Sequence, residues 1–228
     1  MQRGVVFWTA FNSYRSAKLA RPGQPHPVTT AAWTAGRAAL FLRFTLPSVM
    51  AQDIDAWVFV VLLDAELRAL SERYLPPLED DRIVYCYDDA DGIERAARFD
   101  EVVLALIDAD DLYAPSAARL MLECRAEWMY FRHGYALDIP TRRILRYDTI
   151  GTGPFFGRRM AVKELVAFDR DKRHPTHKAV AERHPVMLPP GQFCVTLHGL
   201  NTSSNARMRY VGRPLRQREV PLWLKNLV

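Results

Sequence analysis

Cysteine is scarce in this sequence, and long apolar runs are missing. The three cysteines, Cys86, Cys124 and Cys194, lie far apart, whereas disulfide frameworks and structural zinc sites need closely spaced cysteines. The longest apolar stretches, residues 56–63 and 102–107, fall well short of the roughly 20 residues that span a bilayer. The first residues also lack the small-residue cleavage site of a signal peptide. We therefore expect a cytoplasmic protein in a reducing compartment.

Two common catalytic signatures are also absent. The sequence contains neither the Gly-x-Ser-x-Gly of a nucleophile elbow nor the Gly-x-x-x-x-Gly-Lys of a phosphate-binding loop. Its 228 residues are 49% hydrophobic and 25% charged, which excludes disorder, collagen and coiled coil. A chain of this length can bury one large α/β core.

Apolar runs and helical patterns alternate through the first half of the chain. Strands are predicted at residues 5–8, 55–63, 82–87 and 101–107, with helices between them. The first helix is predicted to end before Pro47, and a later one to run from Ser116 to Phe131 with Ser116 as its N-cap. This alternation predicts an α/β fold, a Rossmann-related and mostly parallel sheet with helices on both faces, whose ligand site lies beyond the carboxyl ends of the strands.

The net charge of +5 is unevenly distributed, and basic residues crowd the end of the chain. We expect a catalytic domain over residues 1–205 and a basic C-terminal extension over residues 206–228. The extension also carries Leu222, Trp223 and Leu227, so it can form a solvated face on a packed strip or a peripheral contact with the inner membrane face. Nucleic acid is not an expected partner, because acids interleave with the bases and no recognition module is present.

An acidic cluster follows the fourth predicted strand. Asp108, Asp110 and Asp111 stand directly after a buried apolar run, where their mutual repulsion calls for a cation or strong hydrogen-bond donors. Oxygen ligands favour Mn²⁺ or Mg²⁺ over zinc. The alternative is that these acids cap the helix that begins near Ser116. Without metal, we expect Asp110→Asn to leave stability unchanged or raised, because it relieves carboxylate repulsion.

Four segments in a fixed order resemble glycosyltransferases of the GT-A fold, and more narrowly a rhamnosyltransferase family of bacteria. They span most of the chain from residue 37 to residue 205. The segments are Arg37-x-x-x-Phe41-x-x-Phe44-Thr45-Leu46-Pro47-Ser48-Val49-x-x-Gln52, Ile107-Asp108-Ala109-Asp110-Asp111, His133-Gly134-Tyr135-Ala136-Leu137-Asp138 and His198-Gly199-x-Asn201-x-Ser203.

The resemblance implies transfer of a sugar, with rhamnose as one option, from a nucleotide-sugar donor to a glycan or lipid-linked acceptor in polysaccharide biosynthesis. It places Asp108 and Asp110 on the two positions of the family's Asp-x-Asp motif, and His198 as a third metal ligand. A structural role for His198 is the alternative.

The same resemblance supplies the remaining site residues. Asp108 and Arg37 are expected to contact the donor, together with Asn201 and Ser203, which as turn residues need no such role. Asp111 is the candidate catalytic residue, with the metal, a ribose or the acceptor as its contact.

Two other functions remain open from the sequence. A metal-dependent phosphohydrolase would also use paired acids, although phosphatases of the haloacid dehalogenase type carry them on the first strand of the domain. A non-catalytic protein with a degenerate transferase fold would use its basic end to bind a polyanion or partner. The apolar Ala105 and Leu106, where relatives often carry a polar residue, motivate this second alternative.

Overall fold

The computed structural model describes residues 1–12, 30–149, 155–167, 180, 182–198, 211–225 and 227. The strands are β1 (Arg3–Ala10), β2 (Trp57–Leu62), β3 (Ile83–Cys86), β4 (Glu101–Leu106), β5 (Leu112–Tyr113), β6 (Trp128–Tyr130), β7 (His133–Asp138), β8 (Arg143–Asp148), β9 (Phe156–Ala161), β10 (Val186–Met187), β11 (Phe193–Leu197) and β12 (Val211–Pro214). The helices are α1 (Ala31–Leu40), α2 (Leu46–Met50), α3 (Arg68–Tyr74), α4 (Asp89–Ala96), α5 (Ala117–Glu123), α6 (Val162–Ala167) and α7 (Leu222–Lys225). A π-helical turn (Phe41–Thr45) joins α1 to α2.

A seven-stranded sheet forms the centre of the fold, in the order β10-β6-β9-β4-β1-β2-β3. β1 runs parallel to β2 and β4, and β2 runs parallel to β3, whereas β9 is antiparallel to both of its neighbours. All six residues of β2 are buried, which is typical of a strand covered on both faces. The predicted α/β fold with a mostly parallel sheet is confirmed by this topology.

Helices cover both faces of this sheet, as the sequence predicts. On one face, Phe7 and Phe59 belong to a core cluster that includes residues of α1 and α5. On the other face, Trp8 and Val60 pack with residues of α4 and α6. Alternate residues of the same strand therefore pack in two different hydrophobic cores, one on each face of the sheet.

A second sheet has five strands in the order β12-β8-β7-β11-β5. β7 and β8 form an antiparallel pair, and β11 lies between β7 and β5. One face contributes Ala136 and Val195 to the main core. The other face contributes Leu137 to a third cluster, which also contains Phe44 and Leu224. Because β5 follows the acidic residues and β11 precedes His198, this sheet brings two distant parts of the chain together.

The prediction that the first helix ends before Pro47 is wrong. The helical segment continues through a π-helical turn into α2, where Pro47 stands within the first turn. Proline has no N–H to donate to the carbonyl four residues back, and its ring clashes with that carbonyl in a regular α-helix. Here the N–H of Leu46 donates to the carbonyl oxygen of Phe41, five residues back. The wider turn accommodates the proline without breaking the helix.

The helix predicted from Ser116 to Phe131 is also shorter than expected. It is observed as α5, which ends at Glu123, and the strand β6 follows. Ser116 makes no side-chain cap for α5; its hydroxyl donates instead to Oε1 of Gln192 at 2.7 Å. The hydroxyl of Ser116, which the sequence pattern predicts to cap α5, is used in a tertiary hydrogen bond instead.

The end of the chain is built into the second sheet. β12 pairs with β8, and Leu224 of α7 is fully buried in the third cluster. The predicted boundary at residue 205 falls at positions 199–210, outside the described residues. Among the helices of the described part of the chain, not one has the length and apolar character to cross a membrane.

Candidate metal and donor site

The acidic residues stand at the point where the order of the parallel strands reverses. From β1 the chain proceeds to β2 and then β3 on one side, whereas β4 lies on the other side of β1. In open α/β sheets, a crevice forms outside the carboxyl ends of the two strands at such a switch point and binds ligands. The N–H of Ile107 donates to the carbonyl oxygen of Trp8 at 3.1 Å, so the acidic loop leaves the sheet beside the end of β1.

Asp110 is the centre of the site. Its side chain is 1% exposed, and its Oδ2 lies 2.5 Å from Nη1 of Arg37 and 2.8 Å from Nε2 of His198. Arg37 comes from α1 and His198 from the residue after β11, so three separate segments converge on one carboxylate oxygen. The structure thus brings together three residues that the sequence placed in one site from segments far apart in the chain.

Asp108 and Asp111 complete a group of three carboxylates. One ligand oxygen from each of Asp108, Asp110 and Asp111 lies within 4.8 Å of the others. A single hard cation binds oxygen at about 2.0–2.6 Å and can span such a separation. Asp108 is only partly buried and Asp111 is fully buried. The donor set of carboxylates, with His198 beside Asp110, therefore fits Mn²⁺ or Mg²⁺.

Arg37 supplies positive charge to the same oxygen that a cation would bind. Its side chain is 13% exposed, and the guanidinium carbon lies 5.7 Å from the centre of the Trp33 ring. Its Nε is buried and makes no hydrogen bond within the described residues. A guanidinium has five N–H donors, so those other than the buried Nε can bind a second anion while Arg37 stays near Asp110. This arrangement fits the expected contact between Arg37 and a diphosphate.

Asp111 is held by the backbone of β11. Its Oδ1 accepts the N–H of Thr196 at 2.9 Å, and the Thr196 hydroxyl donates to the carbonyl oxygen of Asp110 at 2.8 Å. The Asp111 side chain is fully buried. These surroundings favour a positioning role, in which Asp111 fixes the acidic loop against β11, over the catalytic role expected from the resemblance. Thr196 was not among the predicted site residues, although it stands two positions before His198.

Ser48 of α2 and Gln52, which follows α2, form hydrogen bonds with the chain that follows the acidic residues. Nε2 of Gln52 donates to the carbonyl oxygens of Ser48 and Ala114, and its Oε1 accepts the N–H of Ala118. Oγ of Ser48 accepts the N–H of Tyr113 at 3.3 Å. Thus two of the residues that carried the resemblance, Ser48 and Gln52, are buried and structural. They fix the register between α2 and the chain that follows the acids.

Tyr113 forms a further hydrogen bond to the chain beside the acidic loop. Its hydroxyl donates to the carbonyl oxygen of Leu106 at 2.8 Å. Burial raises the pKa of this hydroxyl well above its usual value, and the nearby charges of Asp111 and Asp108 add to the effect. The phenol therefore remains a neutral donor and is not a candidate base.

The alternative that the acids cap the following helix is wrong. The first turn of α5 contains no acidic residue. Asp110 is bonded to Arg37 and His198, and Asp111 to Thr196, whereas the N–H of Ala118 near the start of α5 donates to Oε1 of Gln52. Asn201 and Ser203, which the resemblance assigns to the donor, lie outside the described residues.

Comparison with known proteins gives only distant similarity. No protein-family profile matches the chain, and no curated protein matches it. TarS 1–349 of S. aureus in complex with UDP-GlcNAc has a TM-score of 0.40 and 10% identity, with 87% of this chain and 59% of that chain covered. Rv0371c of Mycobacterium tuberculosis H37Rv has a TM-score of 0.39 and 20% identity, with 91% and 97% covered. This chain therefore spans less than two thirds of the TarS chain, and similarity at this level establishes neither family nor function.

Proposed function

We propose that this protein is a glycosyltransferase of GT-A type that uses a nucleotide-sugar donor and a divalent cation, Mn²⁺ or Mg²⁺. The observation that carries the proposal is the convergence of Arg37, Asp110 and His198 at the switch point of a parallel sheet. Rv0371c has been solved with manganese and TarS with UDP-GlcNAc, but their low similarity adds no weight. We propose further that the donor carries a sugar, with rhamnose as one option, and that the acceptor is a glycan or a lipid-linked glycan.

The proposed metal ligands are Asp108, Asp110 and His198. A cation bound there would neutralise the negative charge that develops on a nucleoside diphosphate leaving group. Arg37 would bind the diphosphate as well, because a guanidinium has five N–H donors and the Arg37 side chain is still 13% exposed. Asn201 and Ser203 are proposed as further donor contacts, on the resemblance alone.

The remaining residues of the site hold these groups in place. Asp111 and Thr196 fix the acidic loop against β11, which also fixes the position of His198 two residues later. Gln52 fixes the other side of the loop against α2. A site whose charged groups are held by buried hydrogen bonds needs little reorganisation when charge develops on the substrate.

Calorimetric titration of nucleotide sugars tests this proposal. The wild type should bind at least one donor in the presence of Mn²⁺ and lose that binding in EDTA. Asp110→Asn should weaken binding by about tenfold or more, because one charged ligand is removed. The matched control is Asp81→Asn, an exposed acid just before β3, at the opposite end of the sheet. Absence of binding to every donor at millimolar concentration, or equal binding by wild type and Asp110→Asn, would overturn the proposal.

The same preparation separates this function from the two alternatives. Turnover of a generic phosphomonoester that Asp110→Asn abolishes would assign the site to a phosphohydrolase. Nucleotide binding that needs no divalent cation, together with salt-sensitive binding of polyanions, would assign the protein to a non-catalytic class.

A further inference from the structure

A cavity lies outside the acidic site, between the π-helical turn, the β7–β8 hairpin and Leu227. Its volume is about 120 Å³. The residues that line it are Arg43, Phe44, Leu137, Ile139, Arg142 and Leu227. Two cationic side chains and four apolar ones thus share a small space.

Among the described residues, the two arginines have no acidic side chain as an ion-pair partner. Arg43 and Arg142 are exposed, and within the described residues neither forms an ion pair, in contrast to Arg82, Arg119 and Arg213. The guanidinium carbon of Arg43 lies 5.0 Å from the centre of the Phe44 ring, so its side chain lies along the apolar wall. Two unpaired guanidinium groups at one cavity provide the donors that a phosphate group needs.

The backbone holds Arg142 in an unfavourable conformation. Its φ is 52°, in the left-handed region where glycine or asparagine is favoured. The hydroxyl of Thr141 donates to Oδ2 of Asp138 at 2.5 Å and closes the same turn. A residue with a Cβ is sterically disfavoured in this region, because the Cβ approaches the following carbonyl oxygen. Strain of this kind concentrates at binding and active sites, and here it fixes the arginine at the edge of the cavity.

The floor of the cavity is apolar and continuous with a packed cluster. Phe44 and Leu137 are buried in the third cluster, and Leu227 packs against it. On α7, which covers the same cluster, Leu222 is 80% exposed and Lys225 is exposed. A free phosphate ion gains nothing from an apolar floor, whereas a phosphate attached to a hydrocarbon chain uses both features.

The cavity is close in the fold to the acidic site. Leu137 of β7 pairs with Thr196 of β11, and the N–H of Ile139 donates to the carbonyl oxygen of Leu197 at 3.1 Å. His198 is the next residue. Arg43 follows Arg37 on one continuous helical segment, about 9 Å further along at 1.5 Å per residue. One strand pair and one helical segment therefore link the two sites.

We propose that this cavity binds the phosphate head of a phosphorylated lipid, with Arg43 and Arg142 on the phosphate and the apolar residues against the first part of the chain. If the transferase function proposed above is correct, this lipid is the acceptor or carries it. The binding site itself does not depend on that function, and its test is independent of donor binding.

Vesicle co-sedimentation tests the proposal with the full chain. The probes are phosphatidylcholine vesicles that contain a minor fraction of phosphatidic acid, the same vesicles with phosphatidylglycerol at equal charge, and vesicles of phosphatidylcholine alone. We expect the wild type to prefer the phosphatidic acid vesicles. The double variant Arg43→Gln/Arg142→Gln should lose about tenfold or more of that affinity. Inorganic phosphate at the same concentration should not compete, because it lacks the chain.

The matched control is Arg73→Gln/Arg95→Gln, which removes two exposed arginines on α3 and α4. This variant has the same net charge as the test variant and should bind vesicles like the wild type. Equal losses in both double variants, or equal binding to both anionic vesicles, would overturn the proposal in favour of general electrostatic attraction. Competition by inorganic phosphate would overturn it in favour of a plain anion site.

Donor calorimetry with Mn²⁺ distinguishes this proposal from the proposed function. Arg43→Gln/Arg142→Gln should bind the nucleotide sugar as the wild type does, because neither arginine belongs to the donor site. If no donor binds but phosphatidic acid binding depends on the two arginines, the proposed function fails and the lipid site stands. If the wild type binds the donor and Arg43→Gln/Arg142→Gln binds vesicles as the wild type does, the lipid-site proposal is overturned and the proposed function stands.

Discussion

Asp110→Asn is the most informative substitution, because the structure changes what it should do. On the sequence alone, loss of this charge relieves repulsion and leaves the stability of the metal-free protein unchanged or raised. In the structure, Oδ2 of Asp110 is 2.5 Å from Arg37 Nη1, and the carboxylate is 1% exposed. The substitution therefore also removes the counter-charge of a largely buried guanidinium.

The two Coulomb terms have opposite signs and the same order of magnitude. At an effective dielectric constant of about 20, opposite charges 2.5 Å apart attract by about 6–7 kcal/mol. Repulsion from Asp108 and Asp111, whose ligand oxygens lie within 4.8 Å, sums to at least about 7 kcal/mol on the same scale. The sign is then decided by the cost of leaving Arg37 buried without its partner. Removing one member of a buried ion pair costs about 3–5 kcal/mol.

Asp108→Asn is the matched comparison, since it relieves the same repulsion from a partly buried position and leaves the pair between Arg37 and Asp110 intact. We expect Asp110→Asn to be less stable than Asp108→Asn by about 3 kcal/mol in metal-free buffer. In a protein of this size, that difference lowers Tm by about 6–12 °C. Thermal melts in EDTA measure the difference directly.

A double variant checks the cause. Arg37→Met/Asp110→Asn removes both charges and should recover part of the stability that Asp110→Asn loses, because no buried charge remains unpaired. Addition of Mn²⁺ should raise the Tm of the wild type and leave that of Asp110→Asn nearly unchanged. Equal stability of Asp110→Asn and Asp108→Asn in EDTA would refute the reasoning, since it would mean that Arg37 needs no partner.

Three further predictions concern the frame around the site. Gln52→Ala should destabilise the protein by about 2–3 kcal/mol in urea unfolding, because it leaves buried backbone groups without their partners. In native protein at pH 8, iodoacetamide should label Cys124 and spare Cys86 and Cys194, because burial raises the pKa of both buried thiols and keeps them protonated; mass spectrometry reads the sites. Gly134→Ala should cost at least about 1–3 kcal/mol in the same unfolding assay, because a Cβ there would lie 2.7 Å from a backbone oxygen of β11.

The layered fold could be predicted because the central strands are uninterrupted apolar runs in the sequence. β2 and β4 are buried on both faces, so their sequences carry a strong signal that needs no knowledge of distant neighbours. The end of the first helix could not be predicted from local rules. Pro47 is a helix breaker by propensity, but the π-helical turn before it removes the clash.

The sequence predicted that Arg37, Asp110 and His198 lie close together, as they do, but their roles stay predictions. Acids that follow a buried strand have to meet a counter-charge, which pointed to a cation. That Arg37 would be this counter-charge depends on the placement of α1 across the strand ends, which no local pattern contains. The sequence gives no reason to distinguish Asp111 from Asp108. In the structure, the pairing of β5 with β11 places the N–H of Thr196 on Asp111, whereas Asp108 stays partly exposed.

The pairing of Arg37 with Asp110 also explains how three carboxylates can stand together before any cation arrives. Without a positive partner, a buried carboxylate beside two others would take up a proton. The guanidinium is charged at every accessible pH, so it supplies the positive charge beside Asp110 in the metal-free protein. Under the proposed function, a cation held by Asp110 would neutralise this carboxylate, and the guanidinium could then bind a diphosphate oxygen. On this reasoning Arg37 belongs both to the stability of the metal-free protein and to the binding of the donor, which is why its variants must be measured by melts and by calorimetry together.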